Sequence, residues 1–444
     1  MGEARTVTPE TAGGAAGAVG TRARQRPGLV LAILCGVYVL NFLDRQLLGI
    51  LAKPIQDELD ITDGQLGRIG GLYFALFYCF IAIPVGWLAD KTNRVTILSL
   101  ACAIWSGATA ACGMASNYGQ LVAARMAVGF GEAGGVPPSY AIITDTFPPG
   151  RRGIAFGIYN LGPVIGAALG IAFGASVAAL FDWRDAFITI GIVGIFAAVL
   201  IRVFVREPPR GAFDGKVDPA AKADPRFWAT ARMFFTRPVL VLASLGSGAT
   251  QFITYGLGNF AVLFLMRERG MTLQEVAVWY ALVVLIGMGG GMLVSGRLID
   301  WGIRRTRSAY ATIPAFSLVA ALPFYLGFLL VPGWPLALVL LTAAMALNYF
   351  YLSSSVALVQ EEVQPNQRVM SGALLLLVMN FIGLGLGPTY VGWASDWFTA
   401  RGDPHGLTTA LLTLTPFYVI ASILFFWLAR LLRRQDGDIA GAQR

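Results

Sequence analysis

Residues 28–51 of this chain read GLVLAILCGVYVLNFLDRQLLGIL. The stretch is long enough to cross a bilayer, because a membrane-spanning helix needs about 20 mainly apolar residues. It nevertheless contains Asp44 and Arg45 within its apolar run. A charged side chain at mid-bilayer costs roughly 2.5 to 3.5 kcal/mol on the insertion scale, so both residues are expected to have partners inside the membrane.

The composition of the whole chain indicates a membrane protein. Of its 444 residues 56% are hydrophobic and 13% are charged, and the mean hydropathy is +0.66. An ordinary soluble domain carries about 25% charged residues, and no aqueous fold could bury so much apolar surface. Similar apolar runs bring the number of predicted spans to twelve. Their predicted ranges are 28–51, 67–89, 95–115, 119–146, 152–179, 185–205, 238–266, 274–299, 308–331, 335–361, 368–397 and 406–430.

The distribution of basic residues predicts the orientation, because Lys and Arg are retained on the cytoplasmic side of short loops. With both termini cytoplasmic, most of the 33 Lys and Arg lie inside. The predicted outside residues are Lys53, Arg68, Arg184, Arg267, Arg269 and Arg401. We therefore predict a multi-pass protein of the plasma (inner) membrane. Its net charge of +8 then faces anionic lipid headgroups, and no patterned basic surface indicates a nucleic-acid partner.

Polar stretches divide the chain. Residues 1–26 lack a hydrophobic period and are predicted to form a disordered cytoplasmic tail, and residues 434–444 a second tail. Residues 206–236 are predicted to form a cytoplasmic linker with a short amphipathic helix, between six-helix bundles at 27–205 and 237–433. The cysteines all lie in apolar runs, without spacing for a disulfide or a metal site, and no cofactor is predicted.

Motifs that recur at intervals of about 210 to 225 residues indicate a duplication. The paired motifs are Gly86-Trp87-Leu88-Ala89-Asp90 with Gly296-Arg297-Leu298-Ile299-Asp300, Pro149 and Arg152 with Pro365 and Arg368, and Gly162-Pro163 with Gly387-Pro388. An even number of spans in each half places equivalent elements on the same side of the membrane. The halves are therefore predicted to be parallel repeats related by an axis along the membrane normal.

Arg125 and Glu132 in the fourth predicted span are the expected partners of Asp44 and Arg45. The first span runs outward and the fourth inward, so Asp44 and Arg125 lie at similar depths, and Arg45 can reach Glu132. Asn41, one turn from Asp44, can supply a further hydrogen bond. One interpretation is a charge cluster that only locks two helices together. The other is that Asp44 or Glu132 takes up a proton and releases its Arg partner, which couples protons to transport.

The second half has no matching charge cluster but has polar side chains in its apolar spans. These predicted cavity residues are Gln251, Thr254, Tyr255, Asn259, Asn348, Tyr349 and Asn380. Interhelical hydrogen bonding is the alternative role for each of them. Phenylalanines lie among them in the sequence. Together they predict a cavity that is charged on the first half and mainly apolar on the second, which suits a substrate with a headgroup and a tail.

Three motifs also resemble those of a known family. Gly86-x-Leu88-Ala89-Asp90-Lys91-x-Asn93-Arg94 resembles the loop signature of the major facilitator superfamily. The segment from Leu121 to Ala133 resembles its fourth-helix signature, and Gly157 to Gly166 resembles its fifth-helix pattern. The resemblance implies an all-α integral membrane protein of twelve transmembrane helices in two parallel six-helix repeats, working by alternating access.

Within that superfamily, Asn41-Phe42-Leu43-Asp44-Arg45 together with Arg125 and Glu132 most resembles the Spinster group. That resemblance implies a secondary transporter of lipids such as sphingosine, sphingosine phosphate or a lysophospholipid, with the lipid, protons and membrane lipids as partners of a monomer. A proton-coupled carrier of a small organic anion or drug-like solute is the alternative. An enzyme is disfavoured, because the sole histidine, His405, is predicted outside and no activated nucleophile is evident.

The loop signature also predicts a cytoplasmic gate. Asp90 can sit at a helix N-terminus, where the helix dipole favours a carboxylate, and the resemblance implies the eleventh span as that partner. Arg94 and Asp145 can complete a charge network that holds the cytoplasmic side closed. The remaining predicted gate residues are Gly86, Gly296 and Asp300. The alternative interpretation is that these charges are solvated markers of topology.

Overall fold

The computed structural model describes residues 26–210, 213, 227–364 and 367–442, and the regular structure of these residues is helical. Eleven of the described helices are long and apolar enough to cross a membrane. Their bounds are Pro27–Ile50, Asp63–Ala89, Arg94–Gly113, Pro149–Leu180, Trp183–Phe204, Pro238–Arg269, Leu273–Ile303, Ala309–Leu330, Trp334–Glu362, Met370–Thr399 and Gly406–Asp436. A further span consists of two shorter helices, Tyr118–Glu132 and Val136–Thr146. In chain order these are spans 1 to 12, with the divided one as span 4.

The predicted fold class is confirmed, with spans 1–6 forming the first half and spans 7–12 the second. Two short helices lie between spans: Ala52–Leu59 in the first loop and Phe227–Thr236 before span 7. Residues 1–25 of the predicted tail, 211–212 and 214–226 of the predicted linker, and Pro365 of the repeat lie outside the described residues. The last helix continues to Ala442, into the residues predicted as the second tail.

The two ends of the helix bundle differ in the segments that connect the spans there. The first-loop end is the end at which span 1 stops at Ile50 and the helix Ala52–Leu59 follows. The linker end is the end at which span 6 stops at Phe204. Because the spans alternate in direction, spans 1, 3 and 5 run towards the first-loop end and spans 2, 4 and 6 run towards the linker end.

Span 4 occupies the range predicted for it, 119–146, as two helices. Its first helix ends at Glu132, a turn follows over 133–135, and the second helix begins at Val136 with prolines in its first turn. Pro137 and Pro138 have no N–H to donate to the preceding turn, but they are well suited to start a helix. The interruption places Glu132 at a helix end in the middle of the membrane protein.

Glycines let span 4 approach its neighbours closely. A Cβ on Gly131 would lie 2.5 Å from the backbone nitrogen of Trp105 in span 3, and a Cβ on Gly129 would lie 2.6 Å from the carbonyl oxygen of Phe74 in span 2. Backbone atoms cannot move aside as a flexible side chain can. These glycines therefore fix the distance between span 4 and the two spans beside it.

We expect Gly131→Ala to lower the free energy of unfolding by about 1 to 3 kcal/mol, because the added methyl overpacks the contact with Trp105. Gly157→Ala in span 5 is the matched control, because a Cβ there would meet no atom within 4 Å. The apparent melting temperature of the two purified variants checks this expectation. Equal melting temperatures would contradict the proposed contact.

Spans 2, 8 and 11 contain π-helical stretches, in which backbone bonds reach one residue further than in an α-helix. They comprise Ile69–Tyr73, Val276–Tyr280, Leu285–Gly290 and Phe381–Leu386. In span 2 the N–H of Leu72 donates a hydrogen bond of 3.1 Å to the Thr389 hydroxyl in span 11. A side chain of the other half thus supports the irregular turn in span 2.

Candidate functional site

Arg45 and Glu132 form a short ion pair between spans 1 and 4. The Arg45 Nε donates to Glu132 Oε2 over 2.6 Å, and Glu132 is only 1% exposed. The Arg45 guanidinium also lies over three aromatic rings, 5.1 Å from the Phe42 centroid, 5.3 Å from Phe74 and 4.6 Å from Tyr78. These distances lie within the range of cation–π attraction, so Arg45 is held by both charge and ring faces.

Asp44 is held by a different set of partners. The Thr109 hydroxyl in span 3 donates to its Oδ2 over 2.6 Å, and the Arg125 Nη1 lies 3.8 Å from its Oδ1. Asp44 is 1% and Arg125 2% exposed. Asn41 is also buried, one helical turn from Asp44. The structure therefore brings together the four predicted charges as two pairs, Arg45 with Glu132 and Arg125 with Asp44.

The charge cluster is not saturated by its protein partners. Among the described residues, no hydrogen-bond partner is found for several of its buried atoms, namely Asn41 Oδ1, Asp44 Oδ1, Glu132 Oε1, Arg125 Nε and Arg125 Nη1. A buried polar atom without a partner costs about 1 to 3 kcal/mol, more when it is charged. If the cluster served only to hold helices together, hydrogen bonds to these atoms would make the protein more stable. Of these atoms, Asp44 Oδ1 and Arg125 Nη1 lie 3.8 Å apart, an ion pair longer than a hydrogen bond.

Tyr255 of span 7 brings the second half to this cluster. Its side chain lies beside the Arg45 guanidinium and near Tyr78. Gln251, one turn earlier in span 7, lies beside Tyr351 of span 10, and Tyr349 lies near Tyr255. The Oε1 atom of Gln251 is buried and has no hydrogen-bond partner among the described residues. Tyr255, Gln251 and Tyr349 thus form a polar group of the second half beside the charges of the first.

The other predicted cavity residues lie in different settings. Thr254 donates to the Thr250 carbonyl of its own helix, and Asn348 donates to the Tyr418 hydroxyl over 2.8 Å. Asn259 lies where span 7 meets spans 1 and 2, since a Cβ on Gly70 would be 2.6 Å from its Oδ1. Asn380 is half-buried at the start of the π-helical stretch in span 11.

The predicted gate network is present within the first half rather than between the halves. Arg94, at the start of span 3, bonds Asp145 of span 4 and Glu207 after span 6, both over 2.6 Å, and also donates to the Pro208 carbonyl. A Cβ on Gly86 or Gly296 would meet no atom of the described residues within 4 Å. Asp300 is exposed, and the side chain of Asp90 lies outside the described residues.

The first-loop end, by contrast, is closed by contacts between the halves. Arg267 of span 7 pairs with Asp63 of span 2 over 2.9 Å, and the Ser395 hydroxyl donates to the same carboxylate over 2.6 Å. A Cβ on Gly67 would lie 2.3 Å from the Pro388 carbonyl oxygen in span 11, so the two backbones touch. Asp396 accepts hydrogen bonds from Thr62 and Gly64. The two halves are therefore in contact at the first-loop end.

One carboxylate outside the spans ties the first loop to span 6. The Trp183 indole N–H donates to Glu58 over 2.6 Å, and Arg184 forms an ion pair with it. These two hydrogen bonds, that of Trp183 first, lower the pKa of Glu58. The helix Ala52–Leu59 is thereby anchored within the first half.

Three residues of the site were not predicted from the sequence: Thr109, Phe74 and Tyr78. Phe74 and Tyr78 are four residues apart and so share a helix face, but aromatic residues at that spacing are equally typical of a packed core. Thr109 is a hydroxyl in an otherwise apolar stretch of span 3, and this was the available signal. The sequence does not show which residues of spans 2 and 3 lie beside Asp44 and Arg45 of span 1.

Comparison with known proteins identifies the family. The family model described as Major Facilitator Superfamily matches residues 34–388. The chain belongs to the major facilitator superfamily. Members of this superfamily are transporters, and the chain is a multi-pass membrane transporter and not an enzyme.

Relatives in the superfamily include several kinds of transporter. An MFS-type efflux pump of Mycolicibacterium smegmatis is 30% identical over 93% of this chain and 94% of its own. Protein spinster homolog 1 of Homo sapiens is 26% identical over 86% of this chain and 76% of its own. A probable L-galactonate transporter of Escherichia coli is 28% identical over 64% of each chain. The predicted resemblance to the Spinster group is confirmed.

A solved structure agrees with this major facilitator chain in fold. It is the crystal structure of a bacterial homolog of the human lysosomal transporter Spinster, in an inward-facing and unoccupied conformation. It is 29% identical, has a TM-score of 0.85, and covers 94% of this chain and 99% of its own.

Proposed function

We propose that this chain is a proton-coupled secondary transporter that moves a lipid-like amphiphile by alternating access. The observation that carries the proposal is the buried charge cluster of spans 1 and 4, in which both carboxylates and the Arg125 guanidinium keep atoms without a hydrogen-bond partner among the described residues. A carboxylate in this setting can exchange a proton. Proton uptake weakens the hold of that carboxylate on its arginine, and so favours a different arrangement of the pair.

The second half supports an amphiphilic substrate. Residues 238–266 of span 7 and 370–395 of span 11 contain no charged side chain. Phe252 of span 7 stacks on Phe417 of span 12 at 4.4 Å and packs against Tyr390 of span 11. A headgroup bound at Arg125 or Arg45 would have its tail against this mainly apolar half. Sphingosine, sphingosine phosphate and lysophospholipids have this form, and several relatives are named as spinster homologs.

A small organic anion is the second candidate substrate. The Nε and Nη1 atoms of Arg125 have no hydrogen-bond partner among the described residues, and a guanidinium suits a carboxylate ligand. A probable L-galactonate transporter and a hexuronate transporter are among the relatives. This candidate needs only the charge cluster, whereas the amphiphile also needs the apolar second half.

A thermal-shift panel distinguishes the two substrate classes. Purified protein is heated with sphingosine, a lysophospholipid, hexuronate and other organic anions, because a ligand at 100 times its Kd stabilises the folded state by about 2.7 kcal/mol. We expect stabilisation by the lipids, and loss of that stabilisation in Arg125→Gln. Arg401→Gln, an exposed arginine of the loop after span 11, is the control. Stabilisation by the organic anions alone would replace the lipid with the second candidate.

We further propose that the linker end faces the cytoplasm, in a monomer of the plasma (inner) membrane. On this orientation residues 206–236 form a cytoplasmic linker between the units 27–205 and 237–433. The support is the excess of Lys and Arg on the linker side of the spans. A cysteine introduced at exposed Asp57 should react with an impermeant maleimide added outside intact cells, and one introduced at Arg304 should not. The reverse pattern would invert the orientation.

A further inference from the structure

The ring of Phe74 lies close to both buried guanidinium groups. Its centroid is 5.3 Å from the Arg45 Cζ and 5.2 Å from the Arg125 Cζ, and Phe74 is 1% exposed. Both cations are within about 6 Å, the reach of cation–π attraction. One aromatic side chain thus contacts a member of each ion pair.

Ring contacts also decide where the guanidinium groups can go. Tyr78 stacks on Phe74 with centroids 5.7 Å apart and adds a further aromatic face beside Arg45. Like charges repel, and this repulsion is strong where no water screens it. The contact of one ring with both guanidinium groups restricts where each can lie and keeps each arginine near one carboxylate. A smaller or flexible side chain at this position would leave space through which either arginine could approach either carboxylate.

The backbone holds the Phe74 ring at this place from two sides. On one side Gly129 of span 4 packs against the Phe74 carbonyl oxygen, leaving no room for a Cβ. On the other, the π-helical stretch Ile69–Tyr73 ends directly before Phe74, and its Leu72 N–H is bonded to Thr389 of span 11. Phe74 therefore connects the closed contact between the halves with the charge cluster.

We propose that Phe74 is a positioning residue whose ring divides the four buried charges into two separate ion pairs, Arg45 with Glu132 and Arg125 with Asp44. Its importance for transport rests on the proposed proton coupling. Its effect on the pairing does not, because the pairing can be measured without substrate or gradient.

The test removes the ion pairs one at a time and together. One variant carries Asp44→Asn and Arg125→Gln, a second carries Arg45→Gln and Glu132→Gln, and a third carries all four substitutions. Each is made with Phe74 retained and with Phe74→Leu, which has no ring. Phe74→Tyr is the control that keeps the ring, and Phe74→Met is a second ring-free variant in case Phe74→Leu does not fold. The readout is the apparent melting temperature of the purified full chain.

Independent pairs have additive effects on stability, and interacting pairs do not. With Phe74 or Phe74→Tyr we expect the melting-temperature shifts of the first two variants to add up to the shift of the third within about 2 °C. With Phe74→Leu or Phe74→Met we expect the sum of the two separate melting-temperature shifts to differ from the shift of the third variant by more than about 4 °C. A merely space-filling role for Phe74 would lower all melting temperatures and leave additivity unchanged.

Two results would overturn the proposal: additivity in the ring-free background, or non-additivity with Phe74 in place. Gradient-driven uptake by the otherwise unchanged protein is measured in parallel. If uptake ignores the proton gradient while the additivity pattern is as expected, the proposed coupling is wrong and the role of Phe74 stands. If uptake follows the gradient and additivity does not depend on the ring, the proposed coupling stands and the role of Phe74 is wrong.

Discussion

Uptake driven by a proton gradient should fall at least about tenfold when Glu132 is replaced by glutamine. Glutamine keeps the size of the side chain and an oxygen that can accept from the Arg45 Nε, now 2.6 Å from Glu132, but it cannot take up a proton. The two facing states would then bind protons equally at this position, and a gradient could no longer favour one of them. Uptake into vesicles with and without an imposed pH difference measures the effect.

The control is Glu58→Gln, because Glu58 is a carboxylate of the first loop outside the spans. Its uptake should retain the gradient dependence of the unchanged protein. Exchange of labelled for unlabelled substrate without a gradient should survive in Glu132→Gln, which separates lost coupling from lost folding. Full gradient dependence in both Glu132→Gln and Asp44→Asn would rule out the charge cluster as the coupling site.

A side chain at Gly67 should open the first-loop end. The Pro388 carbonyl oxygen lies 2.3 Å from the position of a Cβ on Gly67, so Gly67→Leu is incompatible with the contact between spans 2 and 11 seen here. Overpacking of this kind costs about 1 to 3 kcal/mol, which corresponds to a shift of roughly 5- to 150-fold between two conformations. Gly86→Leu is the matched substitution in the same span, because its Cβ would meet no atom within 4 Å in the part of the chain that the structure describes.

Ser395 provides a reporter for this opening, since it is 1% exposed beside Asp63. With Ser395→Cys in both proteins, we expect an impermeant maleimide to label the Gly67→Leu variant at least about fivefold faster than the Gly86→Leu variant. The same proteins without Ser395→Cys give the background from the native cysteines. Equal labelling rates in the two variants would mean that the contact at Gly67 does not control access.

Features that depend on the cost of burying groups in a membrane were predictable from the sequence. Apolar runs gave the spans, because every spanning helix needs them. Charges within those runs gave the partners of Asp44 and Arg45, because isolated charges are too costly there. Chain direction gave the relative depths, and hence the pairing of Arg45 with Glu132 that the structure shows at 2.6 Å.

Features set by contacts between distant segments were not predictable. In span 4 the prolines Pro137 and Pro138 mark a helix start in the sequence, but the close contacts of Gly129 with Phe74 and of Gly131 with Trp105 are made by other spans. The π-helical stretch in span 2 depends on a hydroxyl of span 11 that accepts from Leu72. Hydrophobic periodicity contains no information about such a partner.

The predicted gate shows the same limit. Arg94 and Asp145 were predicted to pair, and they do, over 2.6 Å. Their third partner, Glu207, is 113 residues from Arg94 in the chain and lies after span 6. The partner determines the role, because a network among spans 3, 4 and 6 strengthens the first half instead of joining it to the second.

The charge cluster also has a consequence for the electrical work of transport. Asp44, Arg45, Arg125 and Glu132 sum to zero when both carboxylates are ionised, so the membrane voltage does no net work on the cluster as the empty carrier changes its facing. One added proton gives the cluster a single positive charge. Moving that charge across the full membrane through 100 mV changes its energy by about 2.3 kcal/mol. The potential would then act on the sum of this charge and the charge of the bound substrate, and not on the empty cluster.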